Sequence, residues 1–269
     1  MCKTFSIIEV AHLVKRFKDL AAVDDISFTV EAGEIFAFLG PNGAGKSTTI
    51  KVLITLLAPT SGTAMIDGQD VVRRAPEVRN RIGYVPQMIS VDGTLTAYEN
   101  LMLMAQLYDI PRVERRERIR EMLSFLNLER HTDALVRTFS GGMIRKMEVG
   151  QAMLHRPKVL LLDEPTTGLD PIARQNVWEH LFELRGKFGT TIFFSTHNME
   201  EADEVSDRVA VMNAGRIAAT GTAEELKAKT EQPDATLEDA FILLTGNKLQ
   251  ETGNFREIRR ARQIERRLG

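Results

Sequence analysis

Three stretches of this chain combine residue types that act on phosphate. The first, Gly40-Pro41-Asn42-Gly43-Ala44-Gly45-Lys46-Ser47-Thr48, fits the pattern G-x-x-x-x-G-K-[ST] in full. Its glycines let the backbone curl so that several N–H groups face one anion. A helix opening at Lys46 adds its positive end. Lys46 can then reach the β- and γ-phosphates of a nucleoside triphosphate, and Ser47 can ligate Mg²⁺. The second stretch is Asp163-Glu164, two acids that close the apolar run Val159-Leu160-Leu161-Leu162. Asp163 can hold Mg²⁺ directly or through water. Strand side chains alternate, so Glu164 is expected to point away from Asp163, as a base that polarises an attacking water. The third is Ser140-Gly141-Gly142, a serine and two glycines ahead of a helical stretch, which makes a second anion site.

Such groups need rigid elements behind them. Glu34 to Leu39 reads as an apolar strand running straight into Gly40, and a helix is expected from Lys46 to about Leu57, stopped by Pro59 and Gly62. Ile7–Phe17 and Ile26–Val30 read as strands around a turn at Lys18-Asp19-Leu20, and Gly62–Asp67 and Arg81–Val85 as further strands. From about Thr96 to Met153 the pattern is mostly helical, with Leu101, Met104, Ala105 and Tyr108 on one face and an amphipathic helix over Arg112–Leu128. Helix Met143–Leu154 leads to strand Lys158–Asp163. Helix Pro171 to about Lys187, strand Thr190–Ser195, a helix at about Asn198–Val205 and strand Arg208–Met212 follow, with a hairpin turn at Asn213-Ala214-Gly215-Arg216. Alternating strands and helices imply a largely parallel sheet covered on both sides. The expected fold class is α/β: a P-loop NTPase core with a mostly parallel sheet, an N-terminal antiparallel β subdomain, and an all-helical insert at about 88–155.

Composition narrows the function. Hydrophobic residues make up 43% of the 269 and charged residues 27%, an ordinary globular balance. A net charge of −2 gives no basic field that would favour a nucleic-acid partner. The only cysteine is Cys2, so no internal disulfide framework is expected and a reducing compartment fits. The first residues lack a signal-peptide pattern, and no apolar run approaches the roughly 18 residues that would span a bilayer. Action at a membrane would require a partner.

Over about residues 5–245, the order of these motifs resembles the ATP-binding subunit of an ABC transporter. Gly40–Ser47 matches the family's phosphate loop, Phe139–Met143 its signature motif, and Asp163-Glu164 its second nucleotide motif and catalytic base. Gln87, in Tyr84-Val85-Pro86-Gln87, matches a glutamine that senses Mg²⁺ and coupling to the permease. Asp170, in Gly168-Leu169-Asp170, matches the D-loop, and His197, in Ser195-Thr196-His197, matches the switch histidine, just past a strand end where a γ-phosphate contact is favoured. Phe17 stands where the family usually has a tyrosine stacked on adenine, and phenylalanine can stack through the same face. The resemblance therefore implies ATP and Mg²⁺ as cofactors, with Ser47, Gln87 and Asp163 around the metal and Glu164, His197 and Gln87 in catalysis. It implies an ATP-binding domain over 1–246 and a polar, arginine-rich tail over 247–269. Three positions depart from the family's habit: Phe139 replaces a leucine, and Gly150 and Gln151 stand where alanine and arginine are frequent. Gly150 costs roughly 1 kcal/mol of helix stability relative to alanine.

The resemblance further implies a head-to-tail pair of such domains: a second ATP-binding subunit, expected to be an identical chain, would cap ATP on the Lys46 loop with Ser140-Gly141-Gly142. ATP hydrolysis would open the pair and drive an integral-membrane permease from the cytoplasmic face of the cell membrane. The insert, with Tyr98-Glu99-Asn100, and Gln87 are the expected docking surface. Thr236–Phe241, Leu244-Thr245-Gly246 and Ser90-Val91-Asp92 resemble the daunorubicin-resistance group of drug exporters, which implies export of a drug-like or lipid-like molecule. A nucleotide-gated adaptor that binds ATP without driving transport is the alternative, and Glu164 argues against it. Chromosome-type relatives need a long coiled coil between phosphate loop and signature, for which this chain has no room. In the tail, Phe255, Ile258, Ala261, Ile264 and Leu268 approximate one helical face among arginines. A solvated tail and a contact with anionic lipid are both open readings.

Overall fold

Residues 6–246 are described by the structure, a computed structural model. The arginine-rich stretch and Cys2 lie outside them. The first sheet is built from β1 (Ser6–Phe17) and β2 (Leu20–Glu31), joined by a tight turn, with β4 (Ser61–Ile66) and β5 (Gln69–Asp70) added on the other side of β1. Its order is β2-β1-β4-β5 and every pairing is antiparallel, as expected of an N-terminal β subdomain.

The second sheet carries the site. β3 (Ile35–Leu39) lies at its heart, with β6 (Ile82–Val85), β7 (Val159–Asp163), β8 (Thr191–Thr196), β9 (Arg208–Asn213) and β10 (Arg216–Gly221) in the order β10-β9-β3-β8-β7-β6. All pairings are parallel except the β9–β10 hairpin. That hairpin turns at Ala214 and Gly215, both at positive φ, the two-residue geometry read from the sequence. β3 is buried on both faces because it is apolar at every position. Alternation sends Ile35, Ala37 and Leu39 into the core beneath the helices, and Phe36 and Phe38 toward the first sheet. There Phe28, Phe36, Phe38 and Phe193 stack with ring centroids 5.4 to 6.0 Å apart.

Helices complete the frame. α1 (Lys46–Leu53) follows β3, and α2 (Ala75–Arg79) precedes β6. α1 ends one turn sooner than its apolar spacing suggests. Thr55 adopts φ +66°, and the N–H groups of Thr55 and Leu56 donate to the carbonyls of Val52 and Lys51. This is a Schellman closure with threonine where glycine is usual, and it leaves Leu56 exposed.

The insert between β6 and β7 contains α3 (Ala97–Leu107), α4 (Arg112–Phe125) and α5 (Gly141–Met153), with two short 3₁₀ turns. α3 opens on a capping box in which Thr96 and Glu99 satisfy each other's backbone N–H groups. Gly150 has a packing reason. A Cβ there would lie 2.6 Å from Leu126 Cδ1 and 3.3 Å from Met122 Cγ, so glycine lets α5 close on α4. The remaining helices among the described residues are α6 (Pro171–Phe188), α7 (Met199–Val205), α8 (Ala223–Ala228) and α9 (Leu237–Thr245). No helix among the described residues is long and apolar enough to cross a membrane.

Candidate functional site

The phosphate loop hangs between the end of β3 and the start of α1. Gly45 adopts φ +104°, and a Cβ there would meet the Ala22 carbonyl at 2.3 Å. Only glycine can make this approach, which seats the loop against the first sheet. The β9–β10 turn braces it, since Gly215 N donates to Ala44 O at 2.9 Å and Asp24 N to Gly215 O at 2.8 Å. Lys46 is 4% exposed, and its Nζ donates to the carbonyls of Gly40 at 2.7 Å and Pro41 at 3.1 Å. Burial lowers the Lys46 pKa, and the nearby Glu164 carboxylate partly offsets this, with Oε1 at 3.5 Å from Nζ.

β7 delivers both acids to this loop. Asp163 Oδ1 accepts hydrogen bonds from Ser47 Oγ at 3.0 Å and Ser195 Oγ at 2.6 Å. Its charge, second to burial, pushes the Tyr84 phenol up to about 12. Glu164 differs from the expectation of strand alternation. β7 has ended, Glu164 adopts φ +50°, and its N–H donates to Ser195. The left-handed turn brings its carboxylate back to the crevice, so Asp163 faces Ser47 while Glu164 faces Lys46.

Glu164 Oε2 collects three neighbours. Gln87 Nε2 donates at 3.2 Å, Thr167 Oγ1 donates at 3.1 Å, and His197 Nδ1 lies at 3.2 Å. The hydrogen bond from His197 is the main force holding the Glu164 pKa down at about 2. Burial opposes it, while the His197 and Lys46 charges add to it. The same bond raises His197. Thr167 and Ser195 were not singled out in the sequence as site residues. Their signal was position alone, each within three residues of a motif acid or histidine.

Phe17, Asn42, Gly43, Gly45, Lys46, Ser47, Thr48, Gln87 and Glu164 line one cleft of about 740 Å³, with Leu20, Ala21, Ala22, Ala214 and Gly215. Phe17 is 45% exposed at this cleft, with Lys15 Nζ 5.1 Å from its ring centroid. Gly40 and Pro41 contribute carbonyls to Lys46, Ala44 is buried behind the loop, and Asp163 lies beneath Ser47. Ser140, Gly141, Gly142 and Asp170 are not brought into the cleft of their own chain. Ser140 caps α5 by accepting from Met143 N at 3.3 Å, and Asp170 caps α6 by accepting from Ala173 N at 2.9 Å. Ser140 and Gly141 are exposed. Asn100, expected at a docking surface, points inward instead: it is 1% exposed and its Nδ2 donates to Asp92 O at 2.9 Å.

Residues 23–167, which include the phosphate loop, the serine–glycine turn and the paired acids, match the family model described as "ABC transporter". The chain belongs to the ABC transporter family. It carries the family's ATPase domain, which binds ATP. It is 44% identical over 82% of its length to the daunorubicin/doxorubicin resistance ATP-binding protein DrrA of Streptomyces peucetius, of which it covers 66%. It is 41% identical over 82% of its length to the Nod factor export ATP-binding protein I of Cupriavidus metallidurans, covering 73% of that protein. Its fold matches a solved ATP-binding subunit of an ABC transporter with a TM-score of 0.79 and 32% identity, over 89% of this chain and 99% of that one. The expected α/β class with two sheets and a helical insert therefore holds.

Proposed function

We propose that this ABC ATPase works as a head-to-tail pair that hydrolyses two ATP molecules and drives export through a separate permease. One observation carries the reading. Lys46, Ser47, Asp163, Gln87, Glu164 and His197 converge around one cleft, while the second anion turn lies outside it, with Ser140 and Gly141 exposed and Gly142 half-buried. A second chain turned head to tail would bring its own Ser140–Gly142 to that cleft. Phosphate and helix-end charges of opposite sign would then hold the pair together.

In this reading the loop N–H groups and Lys46 bind the β- and γ-phosphates, and Phe17 stacks on the base. Ser47 Oγ and Asp163 Oδ1 present a hydroxyl and a carboxylate 3.0 Å apart, a hard-oxygen set that suits Mg²⁺, with Gln87 beside it. The metal, when bound, would neutralise phosphate charge. Glu164 orients water for attack and His197 meets the γ-phosphate. As phosphate draws Lys46 and His197 away from Glu164, its carboxylate loses the contacts that hold it near 2 and becomes a better base.

The permease would dock on an apolar groove of about 450 Å³ between the insert and the core, where Ile54, Leu56, Tyr84, Leu107 and Tyr108 form the walls and Arg79 the rim. Leu56 and Leu107 are each 67% exposed there. That would hold the chain at the cytoplasmic face of the membrane. The names of the relatives support export, with a drug-like or lipid-like cargo. The test is phosphate release by the purified chain, alone and with its permease. Wild-type protein should release phosphate, and Glu164→Gln and Lys46→Ala should not. Equal release by Glu164→Gln would overturn the assignment of Glu164.

A further inference from the structure

We infer that Arg145 and Glu148 are positioning residues that tie the loop carrying Gln87 to the helix carrying Ser140, so that occupancy of one nucleotide cleft is passed to the surface that serves the other. The physical tie stands on this chain alone, and only its consequence for a second cleft rests on the paired reading above.

Gln87, Met88, Ile89 and Ser90 are all exposed, Met88 by 81% and Ile89 by 66%. Burial therefore does not set the position of this loop. Polar ties to α5 do. Arg145 Nη1 donates to Pro86 O at 2.8 Å, and Nη2 to Gln87 O at 3.4 Å. Glu148 Oε1 accepts from Ser90 N at 2.6 Å and Ser90 Oγ at 3.0 Å. The two side chains stand one turn apart on α5, with Arg145 Nη1 2.9 Å from Glu148 Oε2. Gln151, a turn further on, donates to Asn100 Oδ1 at 3.3 Å, and Asn100 Oδ1 also accepts from Asp92 N at 3.0 Å. One polar stripe of α5 thus holds the loop from Pro86 to Asp92.

Arg145 is 6% and Glu148 2% exposed. Taking two charges out of water is unfavourable unless their remaining hydrogen-bonding capacity is met. Here the loop supplies most of it: the Pro86 and Gln87 carbonyls meet Arg145, Ser90 N and Oγ meet Glu148 Oε1, and Glu148 Oε2 is left with the Arg145 ion pair alone. Backbone partners make the tie one of shape, so the loop cannot shift without moving α5 or breaking charged hydrogen bonds. At one end, the Gln87 side chain reaches Glu164 inside the nucleotide cleft. At the other end, Ser140 caps the start of α5. A nucleotide that moves Gln87 therefore moves the serine–glycine turn, and the reverse also holds because coupling is reciprocal.

The test uses the full chain with Ser140→Arg, which keeps the turn from capping a second chain and so holds the protein as a monomer. Hydrogen exchange is measured with and without ATP and Mg²⁺. ATP should slow exchange several-fold both at Lys46–Thr48 and at Ile144–Val149. Adding Arg145→Met should keep the first response and remove the second, with circular dichroism melts checking the fold. Ser90→Ala, at an exposed loop position, should weaken the second response without altering α5. The inference is overturned if Ile144–Val149 respond equally with and without Arg145, or fail to respond while Lys46–Thr48 do. Absence of any response at Lys46–Thr48 would overturn the cleft assignment beneath it. Failure of the paired reading shows separately, as a Glu164→Gln chain that stays monomeric with ATP while the exchange result stands.

Discussion

Replacing His197 with alanine in the nucleotide-free protein should lower stability in one pH window and not in another. His197 Nδ1 lies 3.2 Å from Glu164 Oε2, and their hydrogen bond is the main force taking Glu164 from its ordinary 4.5 to about 2. That difference corresponds to about 3 kcal/mol for all the contacts of the carboxylate together. Lys46 and Thr167 share it, and the imidazole is 47% exposed, so solvent screening leaves about 1 kcal/mol for His197. The signs define the window. Glu164 is lowered, so its contribution is present above 4.5 and lost as pH falls through about 2. His197 is raised, so its contribution is full below 6.5 and lost as pH rises through its higher folded value. The gap between wild type and His197→Ala should therefore be widest between pH 5 and 6.5, at about 2–4 °C in Tm. It should shrink toward pH 9. Melts followed by circular dichroism from pH 5 to 9 measure it. The same Tm gap at pH 5.5 and pH 9 would refute the charge-assisted contact.

Two packing predictions follow from the frame of the site. Gly150→Ala should destabilise by about 1–2 kcal/mol, because the clash with Leu126 and Met122 outweighs the better helix propensity of alanine; denaturant melts read this, and a gain in stability would contradict the close approach of α5 and α4. Thr55→Gly should stabilise by about 1 kcal/mol by relieving a β-branched residue at φ +66°, less whatever is lost with the Arg79 hydrogen bond to Thr55 Oγ1; an unchanged or lower midpoint would count against that backbone.

The parts of the site that sequence made legible are those where local chemistry dictates geometry. An all-apolar β3, a glycine loop and Lys46 leave little choice but strand, anion cradle and helix. Asp163 was legible because it closes an apolar strand. Glu164 was legible as a residue but not in direction. Its left-handed turn depends on Ser195, a neighbour from another strand, and alternation carries no information about that. Thr55 hides the end of α1 for a similar reason, since β-branched residues rarely adopt that conformation. Arg145 and Glu148 were hidden in an amphipathic pattern that treats charge as solvated. The available signal was their spacing, opposite charges three apart on a helix that also presents Met147 and Val149 to the core. Gly150 is explained only by α4, distant in sequence.

In the proposed pair, one chain's serine–glycine turn closes its partner's phosphate cleft. Cross-linking tests it most directly, with Asn42→Cys and Ser140→Cys placed in one chain together with Cys2→Ser and Glu164→Gln. ATP with Mg²⁺ should produce a cross-linked dimer through these two positions, and omission of ATP should abolish it. An ATP-bound protein that stays uncross-linked, or one that cross-links equally without ATP, would contradict the account.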